Sequence, residues 1–176
     1  MLPSILGLYI TYHCQLKCKH CFLNHKGLLN QYEMPLEDIM TILDDAKNHQ
    51  VFLMPLSGGD PLLHKDIFTI VREAKKRKIL PLLGITGIDV DDKLAGKIKK
   101  EGVSCVQVSL DGPNEKVNSI YRGKGVFEKV ITSIKSLRNA SVKTNLAISL
   151  DKHNYDYLKD MLELAHSLDI YKVKLA

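Results

Sequence analysis

The sequence predicts an α/β protein built on a parallel sheet of six strands, and three observations predict it. Short apolar runs, of the kind that fill buried strands, alternate with amphipathic stretches at helical spacing along the whole chain. Its 176 residues divide among six such runs at roughly 29 residues each, near the 30 or so of a strand–helix–strand unit. No linker, low-complexity stretch or repeat interrupts the alternation, so residues 1–176 read as a single domain.

In order, Leu6–Thr11 is the first strand, and it delivers the chain into a loop with three cysteines. Pro35 opens a helix over Leu36–Asn48, with Leu36, Ile39, Met40 and Leu43 at spacings of three and four. Val51–Leu56 is a continuous apolar strand ended by Ser57-Gly58-Gly59-Asp60-Pro61. A second helix spans about Asp66–Lys78, with Ile67, Ile70, Val71 and Ala74 on one face. Ile79–Thr86 is the third strand and Asp91–Glu101 the third helix. Ser104–Ser109 is the fourth strand, closed by Asp111-Gly112-Pro113. A turn-rich connection through Arg122-Gly123-Lys124-Gly125 leads to a helix over Val126–Asn139. Val142–Leu150, Tyr155–Ser167 and Ile170–Leu175 complete the chain as strand, helix and strand.

That makes six strands and about five helices, an order shared by a doubly wound open sheet and a curved barrel. Both place ligands at the carboxyl ends of the strands. The unusual residues sit there: the cysteines after strand one, the glycines after strand two, and Ser109 and Asp111 at the end of strand four.

Composition narrows the class. Apolar residues make up 45% and charged residues 26%, which excludes a disordered chain, a collagen-like one and a disulfide scaffold. No apolar run approaches the roughly 18–20 residues that cross a bilayer, and no membrane partner is expected. The opening MLPSILGLYI lacks a basic flank and a small-residue cleavage site, so cytoplasm is the expected compartment. The net charge of +5 suits an anionic ligand. Its basic clusters, Lys75-Lys76-Arg77-Lys78 and Lys97-Ile98-Lys99-Lys100, fall in helix C-terminal halves where cations suit the dipole, so no nucleic-acid partner is expected.

Cysteine usage is the sharp signal. Of four cysteines, Cys14, Cys18 and Cys21 lie within eight residues as CxxxCxxC, and pairing them would leave one over. Three thiolates on one short loop can bind three irons of a cubane, leaving the fourth iron without a protein ligand. An open coordination position is where a metal takes a substrate or cofactor. The residues alone leave two other readings open. One is a non-catalytic zinc or iron–sulfur module, with His13, His20 or His25 as a fourth zinc ligand. The other is a thiol redox protein on Cys18-Lys19-His20-Cys21. Cys105, inside an apolar strand, reads as a buried inert thiol. His64 reads as a residue that orients the start of the following helix.

Led in by Thr11, Cys14–Cys21 resembles the signature loop of the radical S-adenosylmethionine (radical SAM) enzymes. Leu56-Ser57-Gly58-Gly59-Asp60-Pro61-Leu62 resembles their glycine-rich motif after strand two, usually written GGEP. Ser109-Leu110-Asp111-Gly112 resembles the end of their fourth strand, and Arg122-Gly123-Lys124-Gly125-Val126-Phe127 the stretch beyond it. These motifs occur in the family order over nearly the whole chain.

The resemblance implies a partial parallel (β/α)6 TIM-like barrel and two cofactors, a 4Fe–4S cluster and S-adenosylmethionine (SAM). Cys14, Cys18 and Cys21 would hold the cluster, and SAM would chelate the open iron through its amino and carboxylate groups. Gly58 and Gly59 would let backbone carbonyls approach the SAM ammonium, where a Cβ would obstruct them. Asp60 would add a negative charge near that cation or hold the loop. Ser109 would hydrogen-bond the SAM carboxylate or ribose, Arg122 would pair with the carboxylate, and His20 would sit near the adenine. No catalytic residue is implied beyond the cluster. The implied reaction is reductive cleavage of SAM to a 5′-deoxyadenosyl radical that abstracts hydrogen from a substrate. An external ferredoxin- or flavodoxin-like protein would donate the electron. The motif style is similar to members that modify peptides or proteins or mature cofactors, so a peptide or cofactor precursor is the expected substrate.

Two departures from the family pattern stand out. Asp60 replaces the commoner Glu, and Thr86-Gly87 stands where the family often has Thr-Asn-Gly, so no site residue is assigned there. The chain ends at its sixth strand, and the resemblance implies a final helix and often a C-terminal extension beyond that point.

Overall fold

A computed structural model describes residues 4–176, with six parallel strands in one sheet ordered as they occur in the chain. Residues 1–3 of the expected domain, which open the segment read for a leader, lie outside the described residues. The strands are β1 (Leu8–Thr11), β2 (Leu53–Gly58), β3 (Leu80–Ile85), β4 (Cys105–Ser109), β5 (Thr144–Ile148) and β6 (Lys172–Leu175). Seven α-helices accompany them among the described residues: α1 (Phe22–His25), α2 (Leu36–Asn48), α3 (Ile67–Lys76), α4 (Asp92–Glu101), α5 (Glu115–Arg122), α6 (Val126–Asn139) and α7 (Leu158–Ser167). No helix among them is long and apolar enough to cross a membrane.

Strand pleating separates two faces. Ile10, Leu56, Leu83, Val106 and Leu146 are fully buried on the face covered by helices, together with Leu43 of α2, Ile70 of α3 and Ile98 of α4. The opposite face carries a different row. Gly84 pairs with Gln107, Gln107 with Asn145, and Asn145 with Lys172, while Tyr9 pairs with Ser57. Tyr9 on β1 and Lys174 on β6 line one groove of about 330 Å³ with Pro55, Ser57 and Gln107. Residues from the two outermost strands meet there, so the sheet is curled, with β1 and β6 as its edges. This is the partial barrel that the resemblance implies.

The helices end where local chemistry ends them. Asp91 accepts a hydrogen bond from the Leu94 N–H at 2.7 Å as the cap of α4, and Gly102 closes that helix at φ +80°. Lys75 and Lys76 of α3, and Lys99 and Lys100 of α4, lie in last turns as expected.

Two α-helices, α1 and α5, stand beyond the expected five. Tyr155–Ser167 divides into a 3₁₀ turn, Tyr155–Tyr157, followed by α7. The connection between β4 and α6, expected as turns, contains α5. Asn114 caps α5 through the Val117 N–H at 3.1 Å, and Val117, Asn118, Tyr121 and Arg122 are buried beneath it. Helix α5 also starts its successor, because the Glu115 carboxylate accepts from the N–H groups of Gly125 (2.6 Å) and Phe127 (3.2 Å). Two adjacent glycine-bounded turns hide an eight-residue helix from a periodicity reading. Its position governs the site described next.

Candidate active site

The cysteine loop is fastened at its start by the glycine turn after β2. The Gly59 N–H donates to the Thr11 carbonyl and the Asp60 N–H donates to the His13 carbonyl, both at 2.8 Å. Gly58 has φ +135°, a conformation that side-chain-bearing residues rarely adopt. A Cβ on Gly59 would stand 2.7 Å from the His13 carbonyl carbon and 2.9 Å from the Cys14 Cβ. The glycines are therefore pressed against the backbone of the cysteine loop itself. The missing Cβ atoms let the turn seat the loop.

Asp60 is fully buried at the centre of that fastening. Its Oδ1 accepts from the Leu62 N–H at 3.0 Å. Its Oδ2 accepts from the Thr86 N–H (3.1 Å), the Thr86 hydroxyl (2.6 Å) and the Gln15 side-chain amide (3.3 Å). One carboxylate thus ties together the turn after β2, the end of β3 and the cysteine loop. Of the two roles open to Asp60, this is the geometry of a loop holder. Thr86, to which the sequence reading assigned nothing, is its main partner. His64 behaves as expected: buried, it contacts the Met34 carbonyl through Nε2 at 3.0 Å and accepts from the Asp66 N–H at Nδ1, 3.1 Å away.

Helix α5 fastens the other end of the loop. The Lys19 N–H donates to the Tyr121 carbonyl at 2.8 Å. Arg122 is buried, with Nη1 4.0 Å from the Cys18 sulfur and Nε 2.6 Å from Asp111 Oδ2. Sequence reasoning gave Arg122 to a ligand carboxylate; here its partner is a carboxylate of the protein. Asp111 is fully buried and held from three sides. Its Oδ1 accepts from the Ser149 N–H (2.7 Å), its N–H donates to Asn118 Oδ1 (3.0 Å), and its carbonyl accepts from the Asn154 amide (3.0 Å). His20 Nε2 lies 3.7 Å from Asp111 Oδ2, and the His20 ring meets the edge of Tyr121 at 5.8 Å between centroids. The Tyr121 hydroxyl donates to Asp151. Ser109 lies half-buried at the end of β4, in register with Ala147. The structure therefore gathers the cysteines with Gly58, Gly59, Asp60, His20 and Arg122, and adds Asp111, Thr86, Tyr121 and Asn154 as supports.

All the cysteines are free thiols, with Cys18 and Cys105 buried and Cys14 and Cys21 half-buried. Burial pushes the Cys14 thiol up to about 11, against the lowering effect of the Leu16 N–H that donates to its sulfur. Burial likewise pushes Cys18 up, with the Arg122 cation pulling the other way. Cys105 is raised by burial on β4, as its reading as an inert thiol requires. Burial lowers His20 while Asp111 opposes the shift. The one-turn helix α1 begins directly after Cys21, the placement a dithiol redox motif has. The Cys18 thiol, raised by burial, is nevertheless a poor attacking group at neutral pH.

Among the described residues no three His, Cys, Asp or Glu side chains converge closely enough to hold a single metal ion. A zinc site gathers its sulfurs at about 2.3 Å from one point, whereas a cubane takes each thiolate at a separate iron. His25 Nε2 is turned to the Lys19 carbonyl rather than to a thiol. Three free thiols on one loop, seated by glycines and flanked by a buried cation, fit an iron–sulfur cluster.

Comparisons with known proteins agree on one family. The model described as Radical SAM superfamily matches residues 8–165. The chain is 29% identical over 164 residues to the mycofactocin maturase MftC of Mycolicibacterium smegmatis, covering 93% of this chain and 42% of that protein. It is 27% identical over 165 residues to the Fe-coproporphyrin III synthase of Methanosarcina barkeri, covering 93% and 41%. Among solved structures, Streptococcus suis SuiB bound to precursor peptide SuiA superposes with a TM-score of 0.86 at 21% identity, over 99% of this chain and 39% of that one. Native anSMEcpe with bound AdoMet superposes at 0.81 and 18% identity, over 98% and 50%. At these identities the structural matches bear on the fold alone. The chain spans about two fifths of the length of the curated relatives it matches.

Proposed function

The chain belongs to the radical SAM superfamily, whose members are enzymes that use a 4Fe–4S cluster and SAM, and on that premise we propose how this chain holds both. Cys14, Cys18 and Cys21 would hold three irons of the cluster and leave the fourth open to SAM. The observation that carries this reading is the double fastening of the cysteine loop, to the glycine turn at one end and to α5 at the other. The bound cluster supplies the electron for reductive cleavage of SAM, and so for hydrogen abstraction from the substrate.

The chain's own residues bind and orient. Gly58, Gly59 and Asp60 fix where Cys14 stands relative to the sheet. The Lys19–Tyr121 bond fixes the Cys18–Cys21 end. Arg122, ion-paired with Asp111 at Nε, offers its Nη edge to the SAM carboxylate, and Ser109 at the end of β4 offers its hydroxyl. His20, steadied against Tyr121, borders the adenine. The groove between β1 and β6 leaves the barrel interior open to a bulky substrate. A peptide or a cofactor precursor suits it, in line with relatives named as a maturase and a porphyrin synthase and with a fold neighbour bound to a precursor peptide. The electron comes from an external ferredoxin- or flavodoxin-like donor, and the reducing cytoplasm is the compartment assigned.

The test is anaerobic reconstitution with iron and sulfide, followed by metal analysis and SAM binding. The reading expects about four irons per chain in the wild type. Each of Cys14→Ala, Cys18→Ala and Cys21→Ala should lose the cluster and SAM binding together. A Cys14→Ala chain that keeps a functional dithiol, or a wild type that takes up zinc and no cluster, overturns it.

A further inference from the structure

Arg122 and Asp111 form a charged pair whose geometry asks for more than a structural tie. Both are buried, Asp111 completely. The guanidinium presents Nη1 to the Cys18 sulfur at 4.0 Å while Nε meets Asp111 Oδ2 at 2.6 Å. The cation is thus in contact with the sulfur while the anion pairs with it through Nε. Asp111 cannot follow a moving partner, because Ser149, Asn118 and Asn154 all grip it. The pair is consequently a fixed dipole with its positive end toward a cluster ligand.

Burying two charges is costly, and apolar groups of the same shape often do as well for stability. What only a charge provides here is a field. The loop's own cations, Lys17 and Lys19, are exposed, where solvent and salt screen them. Arg122 is not screened in that way. Reducing an iron–sulfur cluster adds negative charge, and cluster potentials are set by nearby charge and by donors to the sulfurs.

We infer that the Asp111–Arg122 pair raises the reduction potential of the cluster ligated by Cys18, with Asp111 as the positioning residue that holds the guanidinium against the sulfur; this rests on the cluster reading above. The pair would act before SAM arrives, by making the cluster easier to reduce.

The test is a potentiometric titration of the reconstituted full chain without SAM, followed by electron paramagnetic resonance. Three proteins are compared: wild type, Arg122→Gln, and the double variant Arg122→Gln with Asp111→Asn. Arg122→Gln removes the nearer charge and strands the anion, so reduction should become about tenfold less favourable or more, which is about 59 mV for a one-electron couple. The double variant removes both charges and should lie between Arg122→Gln and wild type. If Arg122→Gln does not fold, the double variant, which leaves no buried charge alone, decides the matter by lying below wild type. A purely structural tie would change folding stability and cluster occupancy but not the potential. Clusters that form with potentials matching wild type, or a double variant at or above wild type, overturn the inference alone. A wild type that forms no cluster overturns the cluster reading and the inference with it.

Discussion

Replacing Gly59 by alanine tests the fastening of the cysteine loop at its tightest point. The new methyl would lie 2.7 Å from the His13 carbonyl carbon and 2.9 Å from the Cys14 Cβ. The His13 carbonyl oxygen would be closer still, and carbon contacts are comfortable only near 3.5 Å, so the loop must retreat by at least roughly 0.6–0.8 Å. That retreat carries away the His13 carbonyl, which accepts the Asp60 N–H at 2.8 Å, and stretches this bond to its limit. A lost hydrogen bond of about 0.5–1.5 kcal/mol adds to about 1–3 kcal/mol of overpacking, for a destabilisation of roughly 2–4 kcal/mol. At about 2–4 °C per kcal/mol for a chain of this size, Tm should fall by roughly 5–15 °C. Cys14 would also shift relative to Cys18 and Cys21, which stay anchored through Lys19 to Tyr121, so iron uptake should fall with it. Urea unfolding of the metal-free chain and iron analysis after reconstitution measure the two effects. A Gly59→Ala chain within 0.5 kcal/mol of wild type on the scale of surface substitutions, with full iron, would refute the idea that this glycine seats the loop.

Other perturbations follow from the same geometry. Asp60→Glu restores the commoner family residue but must fit a methylene into a fully buried slot, so it should destabilise by about 1–3 kcal/mol in urea unfolding; neutrality would show slack around the carboxylate. Thr86→Val removes the hydroxyl that donates to Asp60 at 2.6 Å, and a loss of about 1.5–3 kcal/mol is expected by the same assay. Gly96→Ala acts in the opposite direction. Gly96 is exposed inside α4 with nothing within 4 Å of an added Cβ, so thermal unfolding should show a gain of about 0.5–1 kcal/mol.

Much of the fold is legible in the sequence because burial writes it there. Leu36–Asn48 and Val126–Asn139 have the bounds their apolar spacing predicts. Strand ends are less legible. Ile79 and Val142 are buried yet lie outside the paired ladders, since apolar character reports burial and not hydrogen bonding. Helix α5 escaped because a glycine-rich stretch reads as turn. Its signals, the Asn114 cap and the Val117–Tyr121 spacing, are short and local.

The site divides along a similar line. The cysteines and glycines announce themselves by type and spacing, since thiolates and close backbone approach each need one kind of residue. The residues that hold them do not. Asp111 sits inside the motif at the end of β4, but only the fold shows that Arg122, from the far end of α5, returns to it. Thr86 stands next to a departure from the family pattern, the missing Asn before Gly87, and only its distance to Asp60 explains what it does. Such partners are set by tertiary contact across 11 to 104 positions of chain, which no local pattern encodes.

The central claim is that one short loop carries a cluster with an iron open to SAM. Electron paramagnetic resonance of the anaerobically reconstituted, reduced chain, recorded with and without SAM, tests it most directly. The account predicts the signal of a reduced 4Fe–4S cluster in the chain alone and a changed signal when SAM is added. A cluster signal indifferent to SAM, or bound zinc with no cluster signal, would contradict it.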